Sequence, residues 1–277
     1  MPKISSPIGS VTRGTTGTNR LRRVDRFIAG LTALRQADNP LVVDLGYGAS
    51  ATTSLELHQR LARVRPSVEV VGIEIDPARV ALAARSAREG VSFRLGGFEV
   101  PLDSGRGATV IRAMNVLRQY DESAVLPAWK RMTARLDPGG VLVEGTCNEV
   151  GRVASWVDVS ADGPLSLTIS LRVADLGSAA DASASLARRP SIVAERLPKV
   201  LIHRNVPGEP VHAFLEDLDR LWQVNAPLSV YGGSQRFIAT VEALRAEGWS
   251  VLGSRSRWRL GEVTIAWPAV APKGFTW

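Results

Sequence analysis

One cysteine, Cys147, stands in 277 residues. That excludes a disulfide within the chain and a zinc site built on cysteine thiolates. Histidine is almost as scarce, with three copies at His58, His203 and His212. None has the spacing to a carboxylate that a metal motif needs, so no metal is expected. No apolar run reaches the roughly 18 residues of a membrane span. The chain opens Met1-Pro2-Lys3 and continues polar, without the apolar stretch of a secretory signal. A cytoplasmic enzyme without membrane partners fits these absences. Lysine is nearly missing too, confined to Lys3, Lys130, Lys199 and Lys273. Arginine therefore carries the excess of 34 basic over 27 acidic residues. The resulting net charge of +7 favours anionic partners. Aromatic residues do not interleave with the arginines as a base-stacking surface requires. Trp156, Trp222, Trp249, Trp258, Trp267 and Trp277 are scattered and read as packing anchors. Nucleic acid stays open as a partner but is not favoured.

With 45% hydrophobic residues, the chain can bury one sizeable core, or a core and a lobe. Residues 1–37 read as a basic N-terminal segment and helix that could act as a lid. Their most basic run spans Arg13 to Arg26, and the helix covers Arg20–Ala37, with Asn19 placed to cap it. Residues 38–150 then alternate strand and helix. Strands are expected at 41–45, 68–75, 91–95, 110–112 and 141–146. Between them lie helices at 53–64, 77–88 and 122–136. Thr53 and Glu56 match a capping box, and Pro77 suits a first helical turn. Apolar strands separated by amphipathic helices are the pattern of a mainly parallel sheet covered on both faces.

Residues 151–232 are less regular and read as an insertion packed on that core. It holds a strand candidate at 165–173, an Ala- and Ser-rich run at 178–187 and an amphipathic helix at 211–224. Residues 233–277 carry a helix at 234–247 and two strands at 249–253 and 258–266, which are expected to complete the core sheet.

The chemistry concentrates where the first strand ends, at Asp44-Leu45-Gly46-Tyr47-Gly48-Ala49-Ser50, and where the second ends, at Glu74-Ile75-Asp76. Two glycines allow a sharp strand-to-helix turn and a close ligand approach. A dinucleotide site usually shows G-x-G-x-x-G, and the stretch Gly46-Tyr47-Gly48-Ala49-Ser50-Ala51 lacks the third glycine. Asp44 just before the glycines would also be unhelpful beside a pyrophosphate. It suits a cofactor bearing a positive charge or an amino group.

Asp44-Leu-Gly46-Tyr-Gly48, Glu74 and the terminal pair of strands resemble the class I S-adenosylmethionine-dependent methyltransferases. The likeness covers roughly residues 38–150 and 232–268. Arg112–Tyr120 and Arg196–Gly208 further resemble a little-characterised actinobacterial branch of that family. It implies an α/β, Rossmann-like sheet of seven strands with helices on both faces and an inserted segment after the fifth strand. It also implies S-adenosyl-L-methionine as cofactor. Gly46, Tyr47 and Gly48 would border its methionine and ribose, Asp44 would orient the amino end, and Glu74 would accept from the ribose hydroxyls. Ile75 or Phe98 would pack on the adenine. The family often reads the adenine amino group with an acidic or amide residue after the third strand. This chain has Gly97 there, with Glu99 as the substitute.

Methyl transfer from a sulfonium rests more on alignment than on a catalytic set. The expected place is the carboxyl end of the fourth and fifth strands. There Asn115, beside the cofactor, and Tyr120 are catalytic candidates, with His203 as general base if one is used. Glu144, Thr146 and Asn148 flank the same region. Arg20, Arg23, Arg118 and Glu149 are the substrate-binding candidates. Cys147 lacks the pairing of a nucleophile. The favoured acceptor is a small molecule; RNA or another nucleic acid, and a non-catalytic adenosylmethionine-binding protein, stay open. So does homo-oligomerisation.

Overall fold

The computed structural model describes residues 7–11, 14, 17–176 and 189–277. Arg13 and the Ala- and Ser-rich run at 178–187 lie outside the described residues. The chain divides into two compact units. One is Met1–Gly151 with Val159–Gly163, and the other is Arg152–Asp158 with Pro164–Trp277.

The first unit opens with α1 (Arg22–Gly30) and α2 (Thr32–Gln36). The single helix expected over 20–37 is thus broken at Leu31, whose backbone is extended. Apolar residues continue at helical spacing through the break, which is why periodicity alone missed it. Then follow β1 (Leu41–Leu45), α3 (Thr52–Leu61), β2 (Glu69–Glu74), α4 (Pro77–Ala84), β3 (Val91–Leu95), β4 (Ala108–Met114), α5 (Val125–Thr133) and β5 (Leu136–Cys147). The five strands run in the order β3-β2-β1-β4-β5, and every pair among them is parallel. β1 and β4 are buried along their whole length. Val42, Val43, Val110 and Ile111 form their centre, and burial of such side chains gives about 1.5–3 kcal/mol each.

Two expected helix caps are used elsewhere. α1 is capped by Leu21 without a side-chain bond, and Asn19 instead takes a left-handed turn (φ 62°) and donates its N–H to Glu56. Thr53 does not cap α3; its hydroxyl donates to Asp44 at 2.9 Å. Asp76 is the working cap in this unit, accepting from the amides of Ala78 and Arg79 ahead of α4, with Pro77 in the first turn.

The second unit holds most of β6 (Val153–Ser160) and β7 (Gly163–Leu171), whose connecting end Val159–Gly163 counts with the first unit, and all of α6 (Lys199–Ile202), α7 (Pro210–Val224), α8 (Gly233–Ala246), β8 (Val251–Leu252), α9 (Arg255–Trp258) and β9 (Glu262–Ala266). Its strand order is β6-β7-β9-β8, with β9 antiparallel to both β7 and β8. The described residues therefore carry nine strands, not the seven expected. The terminal strand pair, expected beside the first five, is hydrogen-bonded to β7 instead. Residues 258–261 are not strand either, because α9 and a turn occupy Arg255–Gly261. β6 had no counterpart in the sequence reading. Its Ser155 and Asp158 are buried among apolar neighbours, which hides the alternation a half-exposed strand would show. Packing of α7 on α8 centres on Trp222 and Phe237, whose rings meet edge to face at 6.4 Å. Arg236 is buried there and donates two bonds to the Trp222 carbonyl.

Candidate functional site

A cleft opens at the carboxyl ends of the first unit's strands. Leu45 and Gly46 follow from β1, Glu74 and Ile75 from β2, Gly96, Gly97 and Phe98 from β3, and Val116 and Tyr120 from β4. This is the edge where parallel α/β sheets bind ligands. Its apolar walls are Leu45, Ile75, Phe98 and Val116, and the Phe98 and Tyr120 rings lie 5.3 Å apart. The remaining wall is the N-terminal stretch Ile8-Gly9-Ser10. The cavity left open in the cleft is about 20 Å³.

The glycine turn is built as its sequence implies. Gly46 and Gly48 have φ of 68° and 87°, a region that costs other residues strain. A Cβ on Gly46 would lie 2.7 Å from the Val116 side chain, and one on Gly48 would lie 3.0 Å from the Gly14 carbonyl oxygen. Glu74 ties this turn to β2. Its carboxylate accepts from the Gly48 and Ile75 amides, both at 2.9 Å, and Arg79 stands 3.7 Å away. The side chain is 1% exposed, so its orientation is set by these bonds before any ligand arrives.

Asp44 faces the other way. Thr53, Ser54 and Arg112 all donate to its carboxylate, Arg112 through Nε at 3.0 Å and Nη2 at 2.7 Å. It is not among the residues lining the cleft. Arg112 also pairs with Asp25 of α1 and donates to the Thr53 carbonyl. Burial pushes the Asp25 carboxyl up, against the lowering pull of Arg112 and Arg60. This Asp25–Arg112–Asp44 chain fixes the start of α3 under the glycine turn. The sequence reading missed it, since Asp25 and Arg112 are 87 residues apart. Tyr47 also turns away, packing edge to face on Phe93 at 5.3 Å. Burial raises its phenol well above the ordinary range, helped by the nearby charges of Glu74 and Asp44.

Asn115 ends β4 in a left-handed conformation (φ 64°), which suits asparagine better than most residues. Its Oδ1 accepts from the Cys147 N–H at 2.9 Å, and its Nδ2 donates to Cys147 Sγ at 3.3 Å. The side chain therefore clamps the ends of β4 and β5 together, and Cys147 is a buried packing residue. Tyr120 lines the cleft, and its hydroxyl accepts from the Ser10 N–H. Glu99 accepts from the Gly97 amide and the Ile8 amide, both at 2.8 Å. The turn is tight enough to hold Val100 at φ 44°, a strained value for a β-branched residue.

The other candidates are not lining residues of this cleft. Arg20 donates to the Asn148 and Cys147 carbonyls, and Arg23 is buried within α1. Arg118 lies in a 3-10 turn over Leu117–Gln119, and Glu149 is exposed beyond β5. Glu144 is buried against Trp129, which donates to it at 3.3 Å. His203 belongs to the second unit, closes α6 and sits 3.1 Å from the Lys199 amine. Among the described residues no group of His, Cys, Asp and Glu is placed to hold a metal. No helix among the described residues is long and apolar enough to cross a membrane.

No family model matches the chain, and no curated protein matches it. Among solved structures, the chain is similar to a TehB-like S-adenosylmethionine-dependent methyltransferase from Corynebacterium glutamicum. Identity is 20% and the TM-score 0.34, over 48% of this chain and 64% of that one. It is likewise similar to human N-acetylserotonin methyltransferase in complex with S-adenosylmethionine, at 21% identity and a TM-score of 0.35, over 48% and 36%. A third is the CcbJ methyltransferase from Streptomyces caelestis, at 19% identity and a TM-score of 0.35, over 60% and 72%. The chain spans less than two thirds of the first two of these proteins.

Proposed function

We propose that the chain is an S-adenosylmethionine-dependent methyltransferase acting on a small molecule. The observation that carries this reading is the cleft itself. A buried carboxylate, Glu74, closes one strand end, and a turn with glycine at positions 46 and 48 closes the next. Ile75 and Phe98 face each other across an apolar slot, with the Phe98 amide and the Glu99 carboxylate at its rim. That is one donor beside one acceptor, the complement of an adenine edge with its ring-nitrogen acceptor and amino donor. The main-chain carbonyl and amide of Ile8 occupy those two positions, so the rim accommodates such a pair.

In this reading Ile75 and Phe98 hold the adenine, Glu74 accepts from the ribose, and the Gly46–Gly48 turn lies along the methionine portion. When bound, S-adenosylmethionine supplies an electrophilic methyl group on a sulfonium. The chain contributes alignment and exclusion of water, and Asn115 and Tyr120 border the acceptor's approach at the end of β4. Small acceptors are favoured because arginines are committed within the chain. Arg20, Arg22 and Arg65 donate to main-chain carbonyls, and Arg60, Arg94 and Arg106 pair with carboxylates.

Calorimetry with S-adenosylmethionine, S-adenosylhomocysteine and NAD tests the cofactor. Binding of the first two alone is expected; binding of NAD alone would overturn the reading. Glu74→Ala is expected to weaken binding by about 1–3 kcal/mol, because it removes an acceptor and frees two buried amides.

A further inference from the structure

We infer that the segment Pro7–Val11 is a built-in competitor for the adenosine end of the cleft, docked by imitating the hydrogen-bonding edge of adenine. The inference rests on the reading of this cleft as an adenosyl site.

Ile8 meets the rim with both of its main-chain groups. Its carbonyl accepts the Phe98 N–H at 2.9 Å, and its own N–H donates to Glu99 Oε2 at 2.8 Å. The second Glu99 oxygen is held by the Gly97 amide, so the carboxylate is already aimed. One acceptor and one donor, side by side, are what adenine offers along its N1 and amino edge. The next residue enters the slot between the apolar walls. A Cβ on Gly9 would stand 3.0 Å from the Tyr120 hydroxyl, 3.4 Å from Ile75 and 3.6 Å from Phe98. Ser10 then donates its N–H to Tyr120. Gly97 records the same fit from the opposite side, since a Cβ there would fall 2.0 Å from the Ile8 carbonyl oxygen. This accounts for glycine at the position where an adenine-reading side chain was expected: the strap needs that space.

The strap and the cofactor cannot share the slot. The cavity left beside the strap is about 20 Å³, far below the roughly 300–1,000 Å³ of ordinary ligand pockets. The strap is held mainly by main-chain bonds at exposed positions, and Ile8 and Val11 are 38% and 54% exposed. Such a segment sits at the low-stability end of a structure and can open without unfolding the sheet beneath it. A strap docked nine tenths of the time raises the apparent Kd for a competing ligand about tenfold.

The test compares the full chain with the double variant Ile8→Pro/Ser10→Pro, which removes the N–H groups given to Glu99 and Tyr120. Circular dichroism confirms that both are folded, and calorimetry measures S-adenosylhomocysteine. The variant is expected to bind at least fivefold more tightly. Equal or weaker binding by the variant would overturn the strap while leaving the cofactor reading standing; no binding by either protein would overturn both. A second measurement needs no variant. Hydrogen exchange at the Ile8 and Ser10 amides of the unaltered chain is expected to speed up when S-adenosylhomocysteine is added, because the strap is displaced. Slower or unchanged exchange would show a segment that closes over the ligand, or ignores it, and would overturn the proposal.

Discussion

Arg112 has no exposed surface and lies between two carboxylates that are also buried, Asp25 and Asp44. Two acids in such a place repel each other and resist desolvation; the guanidinium makes their charge tolerable. Arg112→Met is therefore expected to cost about 3–5 kcal/mol in urea unfolding, since among the described residues Asp44 then has no cationic partner and Asp25 keeps only Arg60. A loss below about 1 kcal/mol would show that the network is dispensable. Glu144 presents the opposite case. It receives one bond from Trp129, its other oxygen has no partner among the described residues, and burial pushes its carboxyl up to about 8. A folded-state value above the unfolded one means the native protein holds a proton that the unfolded chain releases. The contribution is fully present below about pH 4.5 and is lost as pH rises through about 8, at roughly 1.4 kcal/mol per unit. Glu144→Gln keeps the shape without the proton. Its unfolding free energy is expected to decline less between pH 5 and pH 8 than that of the unaltered chain, by on the order of several kcal/mol. Parallel pH profiles would remove Glu144 as the cause.

Elements show which parts of the fold were legible beforehand. β1 and β2 matched their expected ranges closely because both faces are buried, leaving unbroken runs such as Leu41–Leu45 between turn residues, and β3, half-exposed at the sheet edge, matched because Gly90 and Gly96 bound it. Pro77 and the glycine turn were readable because backbone geometry there depends on single residues. The caps were not. Asn19 and Thr53 have the right chemistry for capping, yet tertiary partners, Glu56 and Asp44, determine their roles. The cleft was half legible: Gly46, Glu74, Ile75 and Phe98 line it, but Ile8 and Gly9 carry no motif and reach it only through the fold. Asn115 joins two elements, and this gives a prediction. Asn115→Ala loses both bonds to Cys147 and a residue tolerant of positive φ, so about 1–3 kcal/mol of stability is expected to go. Asn115→Asp keeps the acceptor for the Cys147 amide and is expected to recover part of it. Equal unfolding midpoints for Asn115→Ala and the unaltered chain would show that the clamp carries no load.

Taken across the whole chain, a net charge of +7 looks like an invitation to polyanions. What matters for such binding is the number of cations free to displace counterions from phosphates, not the formal sum. Here guanidinium groups are repeatedly spent on the chain itself. Arg94 and Arg106 make paired bonds to Asp103 and Glu69, and Arg220 does so to Asp217 and Glu247. Exposed pairs of this kind contribute little stability, but each one neutralises a charge a phosphate would need. Nucleic acid is therefore expected to bind only in the non-specific range, with Kd of about 10⁻⁴–10⁻⁶ M at physiological salt. Fluorescence anisotropy with labelled single-stranded RNA and duplex DNA, at low and at physiological salt, measures this directly. A shallow dependence of log K on log salt is expected, because few phosphates are contacted. Submicromolar binding at physiological salt with a steep slope would mean that the arginines exchange partners on contact. The acceptor would then have to be sought among nucleic acids rather than small molecules.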